Sequence, residues 1–300
     1  MGSLTGAERG FLLLTSHLGD PERRPLTMPQ FRELAHRTGA RRSADFDRDV
    51  DVQDLMHLGY TSQFAGRIVD LLNDERLLDW YLSRADRESC VPITRASSTY
   101  PLILRKRLGE DAPGVLWARG DLSVLQAPAI ALVGSRDLRD ENRAFAEEAG
   151  RQAAKQGLVL VSGNARGADK AAQNACLQAG GRVISIVADS LLQHKPRENL
   201  LYLSEDGYDE AFTAHRALSR NRVIHALGIV TFVAQSSLHT GGTWDGTVKN
   251  LRHRWSDVYG FDDGSEAMTE LSQMGLERIG INDLSDFYDL PKSQQNIFEY

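Results

Sequence analysis

The sequence predicts an α/β protein in which helices cover both faces of a doubly wound parallel sheet, with a helical region before it. The first observation is that, from Ala129 onwards, short apolar segments alternate with helical segments about ten residues long. Parallel neighbours need a crossover connection of this kind, usually a helix. The second observation is that the apolar segments are rich in Val, Ile and Ala and alternate little with polar residues, which is typical of strands buried on both faces.

Residues 1–95 form the first predicted domain, which is expected to be helical. Apolar residues recur at helical spacing through Met28–His36 and again through Phe64–Leu82. The segment Leu58–Thr61, followed by a predicted helix over Ser62–Asn73, fits a turn of the helix-hairpin-helix or SAM-like kind. A plain turn of a helical bundle fits the same residues, and both interpretations stay open.

Residues 96–128 are predicted to connect the domains, because prolines interrupt them and a short strand within Gly114–Gly120 is their clearest element. Residues 129–285 form the predicted α/β domain and residues 286–300 an acidic tail. Between the third strand and Ala217 no element is clear. The predicted strands of the domain are Ala129–Val133, Leu158–Val161, Val183–Val187, Ile229–Val233 and Val258–Phe261, and the predicted helices are Glu141–Gln156, Asp169–Ala179, Ser219–Leu227 and Asp245–Arg252.

The composition is that of a globular protein with unevenly distributed charge. The 300 residues are 41% hydrophobic and carry a net charge of −6. Residues 126–256 hold 16 basic and 13 acidic side chains, whereas residues 257–300 hold 2 and 10, so the acidic C-terminal segment masks a positive central one. The distant Cys90 and Cys176 fit buried, reduced thiols, and no segment approaches ~18 consecutive apolar residues. A cytoplasmic location without a membrane span is therefore expected.

Three glycine-bearing segments are predicted to meet at one edge of the sheet, because ligands of parallel sheets bind at the carboxyl ends of the strands. The first segment is Gly134, Ser135 and Arg136 at the end of the first strand. Glycine permits a sharp turn and a close approach to the backbone, and the planar donor fork of arginine suits phosphate oxygens. An ordinary tight turn is the alternative interpretation.

The second segment follows the next strand and combines two glycines with another arginine. Its candidate binding residues are Ser162, Gly163, Arg166 and Gly167, and Asp169 is placed to cap the helix that follows. Backbone N–H groups at such a helix start attract phosphates. Alternatively, Arg166 is structural and pairs with Asp169 or with the carboxyl end of a helix.

The third segment is Gly241, Gly242 and Thr243, where amides and a hydroxyl at a predicted helix start form another anion seat.

A basic cluster completes the candidate site. It consists of Arg220, Asn221 and Arg222, with Arg216 one helical turn before Arg220 and Ser219 beside them. Arginines this close together need an anion or an acidic partner opposite them, and a solvated basic face is the alternative.

No catalytic or metal-binding motif is found in the sequence. It contains no HExxH, no CxxC, no Walker lysine loop and no evident nucleophile–base pair. The glycine spacing from Gly134 to Gly167 does not fit GxGxxG, so a dinucleotide cofactor is not indicated. We expect no catalytic residue, no metal and no cofactor.

Taken in order, these motifs resemble the DprA/Smf family of DNA-processing proteins, within the group of Rossmann-like domains shared with the LOG nucleotide hydrolases. The order and spacing of the pieces are far more specific than any single piece, and the likeness covers roughly residues 58–285. The matching segments are Tyr100-Pro101, Gly114–Asp121, Val133–Arg136, Val161–Asp169, Ser219–Ile224 and Gly241–Thr243.

The resemblance implies a Rossmann-like doubly wound domain preceded by an N-terminal SAM-like domain. It further implies single-stranded DNA binding, assistance in loading a RecA-type recombinase and a homodimer formed through the Rossmann-like domain. The chain departs from the family at Ala234-Gln235, where an acidic residue is usual, at Lys195-Pro196 and around Ser237–His239. These departures favour a divergent member, with a role in defence as an alternative setting.

Three functions remain open at this point. A single-strand binder would place phosphates along the arginines and stack bases on Phe212, Tyr208 or Trp244. A nucleotide sensor would hold one small phosphorylated molecule in the same pocket. A LOG-like nucleotide hydrolase, the least favoured, would need a carboxylate after the last glycine turn, where Asp245 is the candidate.

Overall fold

The structure is a computed structural model that describes residues 4–39 and 50–290. Its helices are α1 (Gly6–Thr15), α2 (Met28–Gly39), α3 (Val52–His57), α4 (Ser62–Leu72), α5 (Glu75–Arg87), α6 (Leu102–Leu108), α7 (Asp140–Lys155), α8 (Ala168–Gln178), α9 (Ala214–Ser219), α10 (Asn221–Leu227), α11 (Gly241–His253) and α12 (Glu266–Gln273). Its strands are β1 (Cys90–Thr94), β2 (Val115–Gly120), β3 (Ala129–Val133), β4 (Val159–Ser162), β5 (Arg182–Ile186), β6 (Leu200–Glu205), β7 (Val230–Val233), β8 (Asp257–Phe261) and β9 (Glu277–Ile279). Within the described ranges, no helix has the length and apolar character that a membrane crossing requires.

The strands form one sheet in the order β1-β2-β6-β5-β4-β3-β7-β8-β9. All six pairings from β6 across to β9 are parallel, which confirms the predicted α/β class with a parallel sheet. Successive strands extend from β3 to β6 on one side and from β7 to β9 on the other. The strand order therefore reverses between β3 and β7, which is where ligands bind in open sheets of this kind.

The chain divides into two compact units. One consists of Met1–Tyr100, Pro113–Trp117 and Glu205–Glu210, and the other of the remaining residues. The boundaries expected from the sequence at residues 95, 128 and 285 stay predictions. Residues 291–300, most of the expected acidic tail, lie outside the described residues.

The first unit is built from capped helices around an aliphatic core. Thr5 and Asp51 form capping boxes with Glu8 and Asp54, which satisfy backbone donors at the starts of α1 and α3. The buried core cluster is Leu14, Leu26, Leu34, Leu55, Ala65, Ile68 and Leu71. Helical spacing in the sequence reflects this burial, because each amphipathic helix turns one apolar face inward.

The structure corrects several predicted elements. Strand β6 occupies the stretch that showed no clear element, because its apolar run Leu200–Leu203 is too short for periodicity to identify. Strands β1 and β9 and helix α12 were also not predicted. Helix α11 begins at Gly241 rather than Asp245, since Gly241, with φ +83°, starts the helix instead of breaking it. The predicted helix Ser219–Leu227 is divided at Arg220 between α9 and α10.

A buried histidine, His225 on α10, belongs to a network of polar side chains with Asn250, Thr231 and Ser256. The backbone N–H of Ser256 donates to Asn250 Oδ1, so Asn250 Nδ2 is directed at His225 Nδ1, 3.1 Å away. His225 Nδ1 therefore accepts a hydrogen bond from Asn250, and the neutral imidazole carries its proton on Nε2. His225 Nε2 has no hydrogen-bond partner among the described residues. Burial, with a smaller contribution from Arg220, lowers the pKa of His225 from 6.5 to about 3.

The His225 environment predicts acid sensitivity. Because the pKa of the folded state is lowered, only the unfolded state binds the proton between pH 6.5 and about 3, so stability falls as pH falls through this range. At about 1.4 kcal/mol per pH unit, the loss from pH 7 to pH 4 is about 3 kcal/mol. His225→Asn keeps an acceptor near the Nδ1 position and should show a shallower fall. Urea unfolding of both proteins at each pH measures this, and equal slopes would contradict it.

Candidate functional site

Three arginines that are distant in sequence meet at one cavity at the carboxyl edge of the sheet. The cavity, which we call the cradle, has a volume of about 280 Å³ and is lined by the loops after β3, β4 and β5 and by parts of residues 212–220. Its basic lining residues are Arg136, Arg166 and Arg220, and its acidic one is Asp189. The cradle is thus a positively charged concavity beside the reversal in strand order.

Arg220 reaches the cradle across the backbone of Gly163. A Cβ atom on Gly163 would overlap the guanidinium group of Arg220, so the absence of a side chain makes room for the arginine. Gly163 was predicted as a phosphate-binding residue, and this stays a prediction. The structure adds that its lack of a side chain leaves room for Arg220.

The two glycine loops after β3 and β4 interlock. The N–H of Ala168 donates to the carbonyl oxygen of Ser135 at 3.1 Å. Gly167, with φ +87°, lies so close that a Cβ atom would overlap this same carbonyl, and a Cβ on Gly134 would lie 2.5 Å from that of Ala168. Both glycines are therefore required for one loop to pack on the other, and they fix Arg136 relative to Arg166.

The buried side chain of Asp169 binds the backbone of the loop after β4. Its Oδ2 accepts hydrogen bonds from the N–H groups of Gly163 and Ala165, both at 3.1 Å. Burial raises the pKa of Asp169, while Arg220, the two amides and Arg136 oppose that rise. The N-cap of α8 is Gly167 rather than Asp169. These two amides therefore bond to the protein itself, and the basic groups that line the cradle are the arginine side chains.

Arg166 is exposed and pairs with Asp137 of the first loop at 2.7 Å, rather than with Asp169. Both side chains are more than three-quarters exposed, so this pair contributes little to stability and leaves the guanidinium accessible. Lys170, near the start of α8, donates to the side-chain oxygen of Asn164 in the second loop, which adopts φ +61°.

Two arginines of the predicted basic cluster have structural partners instead. Arg216 donates to the carbonyl oxygens of Ala188 and Ala211 and to Ser204 Oγ. Arg222 donates to the carbonyl oxygen of Asp111 and to Ser219. Neither lines the cradle. The arginines of the cluster therefore have different surroundings. Arg216 and Arg222 bind carbonyl oxygens of the protein, whereas Arg220 lines the cradle.

The other candidate residues lie outside the cradle lining within the described chain. Ser162 is fully buried, and its Oγ accepts from Gln173 at 2.6 Å. Asn221 donates to the carbonyl oxygen of Gly242 at 2.9 Å, which ties the start of α11 to α10. Gly241, Gly242 and Thr243 form the first turn of α11 and do not line the cradle, so their binding role stays a prediction.

The structure also separates the aromatic candidates. Phe212 lines the cradle and is 56% exposed, whereas Tyr208 and Trp244 are 0% and 9% exposed. Only Phe212 offers a ring face that a base could reach. Asn164 and Asp189 also line the cavity and were not predicted. Asn164 lies inside the second motif, but nothing in the local sequence marks Asp189.

The fold and cavity define a Rossmann-like α/β protein with an arginine-lined site at the strand-order reversal. This chain belongs to the family described as DNA recombination-mediator protein A, whose sequence model matches residues 92–254. The resemblance found in the sequence is thereby confirmed.

Individual relatives agree with this assignment. The chain is 34% identical over 141 residues to DNA processing protein DprA of Streptococcus pneumoniae, covering 44% of this chain and 50% of that protein. It is 28% identical over 221 residues to the putative DNA processing protein DprA of Mycobacterium tuberculosis, covering 70% and 51%. The chain thus spans about half the length of these curated relatives, which are DNA-processing proteins by name.

Solved structures show the same fold. The X-ray structure of DprA from Streptococcus pneumoniae matches with a TM-score of 0.69 at 23% identity, covering 97% of this chain and 100% of that one. A structure of DNA processing protein A from Helicobacter pylori, concerned with its single-stranded DNA binding mode, matches with a TM-score of 0.54 at 24% identity, covering 66% and 93%.

Proposed function

We propose that this protein binds single-stranded DNA through the cradle, as a DNA-processing protein of its family. The observation that carries the proposal is the convergence of Arg136, Arg166 and Arg220 on one cavity beside an exposed phenylalanine. The Helicobacter pylori relative, whose structure concerns single-stranded DNA binding, supports the choice of ligand.

The cradle matches the chemistry of a single strand in two ways. Its guanidinium groups pair with phosphate oxygens, since arginine presents donors in a planar fork. Phe212 offers a surface on which an unpaired base stacks, and such faces are accessible only when the strand is not in a duplex. We therefore expect salt-sensitive binding with a preference for single strands over duplex DNA.

A titration with a short single strand, its duplex and a mononucleotide tests the proposed function. Tighter binding of the single strand than of either competitor supports it. A thermal shift with mononucleotides but none with oligonucleotides would instead favour a nucleotide sensor, because a ligand raises the melting temperature according to its affinity for the folded state.

The carboxylate predicted for the hydrolase alternative does not line the cradle, whose acidic lining residue is Asp189 instead. Asp245 pairs with Lys249 at 2.8 Å on α11 and does not line the cradle. Release of free base from nucleoside monophosphates would reverse this conclusion.

Phe212→Ala is predicted to weaken single-strand binding by about 5-fold or more, since stacking contributes about 1–3 kcal/mol per base. Phe212→Tyr keeps the ring and should bind like the unmodified protein. Fluorescence anisotropy with a labelled oligothymidylate compares the three proteins. Equal weakening in both variants would exclude stacking as the role of this residue.

The family resemblance suggests three further properties. Assistance in loading a RecA-type recombinase and a homodimer through the Rossmann-like domain remain proposals, as does a role in defence. Light scattering tests the homodimer, because it measures whether the mass in solution is that of one chain or two. Recombinase filament assembly on a strand covered by single-strand binding protein tests loading, and an unchanged assembly rate in the presence of this protein would reject it.

A further inference from the structure

A second cavity lies between α7 and α8 and shares an edge with the cradle. Its volume is about 630 Å³, and Arg136 and Arg166 line both cavities. We call it the α7–α8 groove, and its other charged lining residues are Arg143, Glu147, Arg151, Lys170 and Asp137. The two shared arginines make one continuous basic path from the sheet edge onto the outer surface of the helices.

The geometry points to the α7–α8 groove as the seat of the DNA backbone beyond the nucleotides held in the cradle. This inference rests on the proposed function. It assigns the ligand as a polymer several nucleotides long, because a mononucleotide in the cradle would leave the second set of cations unused.

Charge supports this assignment. Five basic and two acidic side chains line the groove, in a chain whose net charge is −6. Arg143 is exposed and forms no ion pair with any residue in the described ranges, whereas Arg151 pairs with Glu148 at 2.8 Å. An unpaired cation on the path is available to a phosphate at little cost.

The composition of the groove also indicates which part of the strand it holds. No aromatic side chain occurs among its described lining residues, whereas the cradle has Phe212. Without a stacking surface, the groove contacts phosphates and sugars but not base faces. The cradle would therefore hold the stacked base, and the groove would add affinity in proportion to strand length but independent of sequence.

Strand length gives the test. The test uses oligothymidylates of about 6 and about 20 nucleotides, which lie near the lower end and above the upper end of the roughly 4–16 nucleotides that one single-strand binding domain occupies. Binding of each is measured by anisotropy against salt concentration, for the full chain and for Arg143→Glu/Arg151→Glu. Arg143→Ala/Arg151→Ala serves as a milder pair, and thermal melting checks that each variant folds. Arg105→Ala/Lys106→Ala removes the same charge as the alanine pair from α6, outside both cavities.

The alanine pair is expected to bind the long oligonucleotide about 10-fold more weakly and the short one unchanged, and the glutamate pair should lose more affinity for the long one. The salt dependence for the long oligonucleotide should fall by about 1.4 in slope, since each phosphate contact on a single strand contributes about 0.7. Unchanged binding of the long oligonucleotide, or equal losses at both lengths, would overturn the inference. Arg220→Ala separates this from the proposed function: it should weaken binding at both lengths, and no effect there rejects the cradle itself.

Discussion

Replacing Arg136 and Arg220 together with alanine is expected to weaken single-strand binding about 100-fold at low salt. Both guanidinium groups line the cradle, and a hydrogen bond to a charged group contributes about 1.5–3 kcal/mol, of which we count about half because the site is open to water. A loss of about 1.4 kcal/mol per arginine corresponds to tenfold each. The logarithm of the binding constant, measured by anisotropy, should also fall less steeply with the logarithm of the salt concentration than for the unmodified protein, by about 1.4 in slope.

The controls for this double variant test whether the substitutions disturb the folded protein. Arg220 lies near the buried Asp169, so its removal also changes the environment of that carboxylate. Arg220→Lys keeps the charge and should retain part of the affinity, and Arg105→Ala/Lys106→Ala on α6 should bind normally. A double variant that melts like the unmodified protein and still binds within twofold would exclude this cavity as the binding site.

Gly150→Ala is expected to destabilise the sheet unit by about 2–3 kcal/mol. Gly150 lies in α7 where a Cβ atom would overlap the backbone carbonyl of Ala172 on α8. Backbone cannot rotate away as a side chain can, so the helices must separate, at the cost typical of an overpacked core. The melting temperature should fall by about 5–10 °C.

Gly66→Ala is the matched control, because it also adds one methyl group to a helical glycine. A Cβ at Gly66 meets no atom within 4 Å, so alanine should stabilise α4 by a fraction of 1 kcal/mol. Changes of the same sign in the two variants would show that close packing of α7 on α8 does not limit the stability.

The sequence predicted the fold class and the convergence of three arginines for a physical reason. Parallel strands buried on both faces leave a recognisable apolar run, and the loops that follow them share one edge of the sheet. Arg136 and Arg166 could thus be placed near each other without coordinates, whereas Arg220 follows a helix and became a candidate through its basic cluster. Their lining of one cavity now supports the site, although direct binding by these residues remains a prediction.

What the sequence could not reveal is which polar groups the protein satisfies internally. Arg216 and Arg222 have the same side chain as Arg220, but carbonyl oxygens distant in sequence bind them. The glycine segments were predicted as anion sites, but the sequence did not show that Gly134 and Gly167 also allow the close approach of two loops. Phe212 differs from Tyr208 in exposure, which tertiary packing determines and local sequence does not.

The carboxylate of Asp169 gives the binding site a property that concerns kinetics. Since this side chain already occupies the amides of Gly163 and Ala165, hydrogen bonds within the protein hold the loop without a ligand. Association then incurs little ordering entropy, and its rate depends mainly on long-range attraction between opposite charges. Under the proposed function, the cradle would therefore receive a strand as a preformed surface.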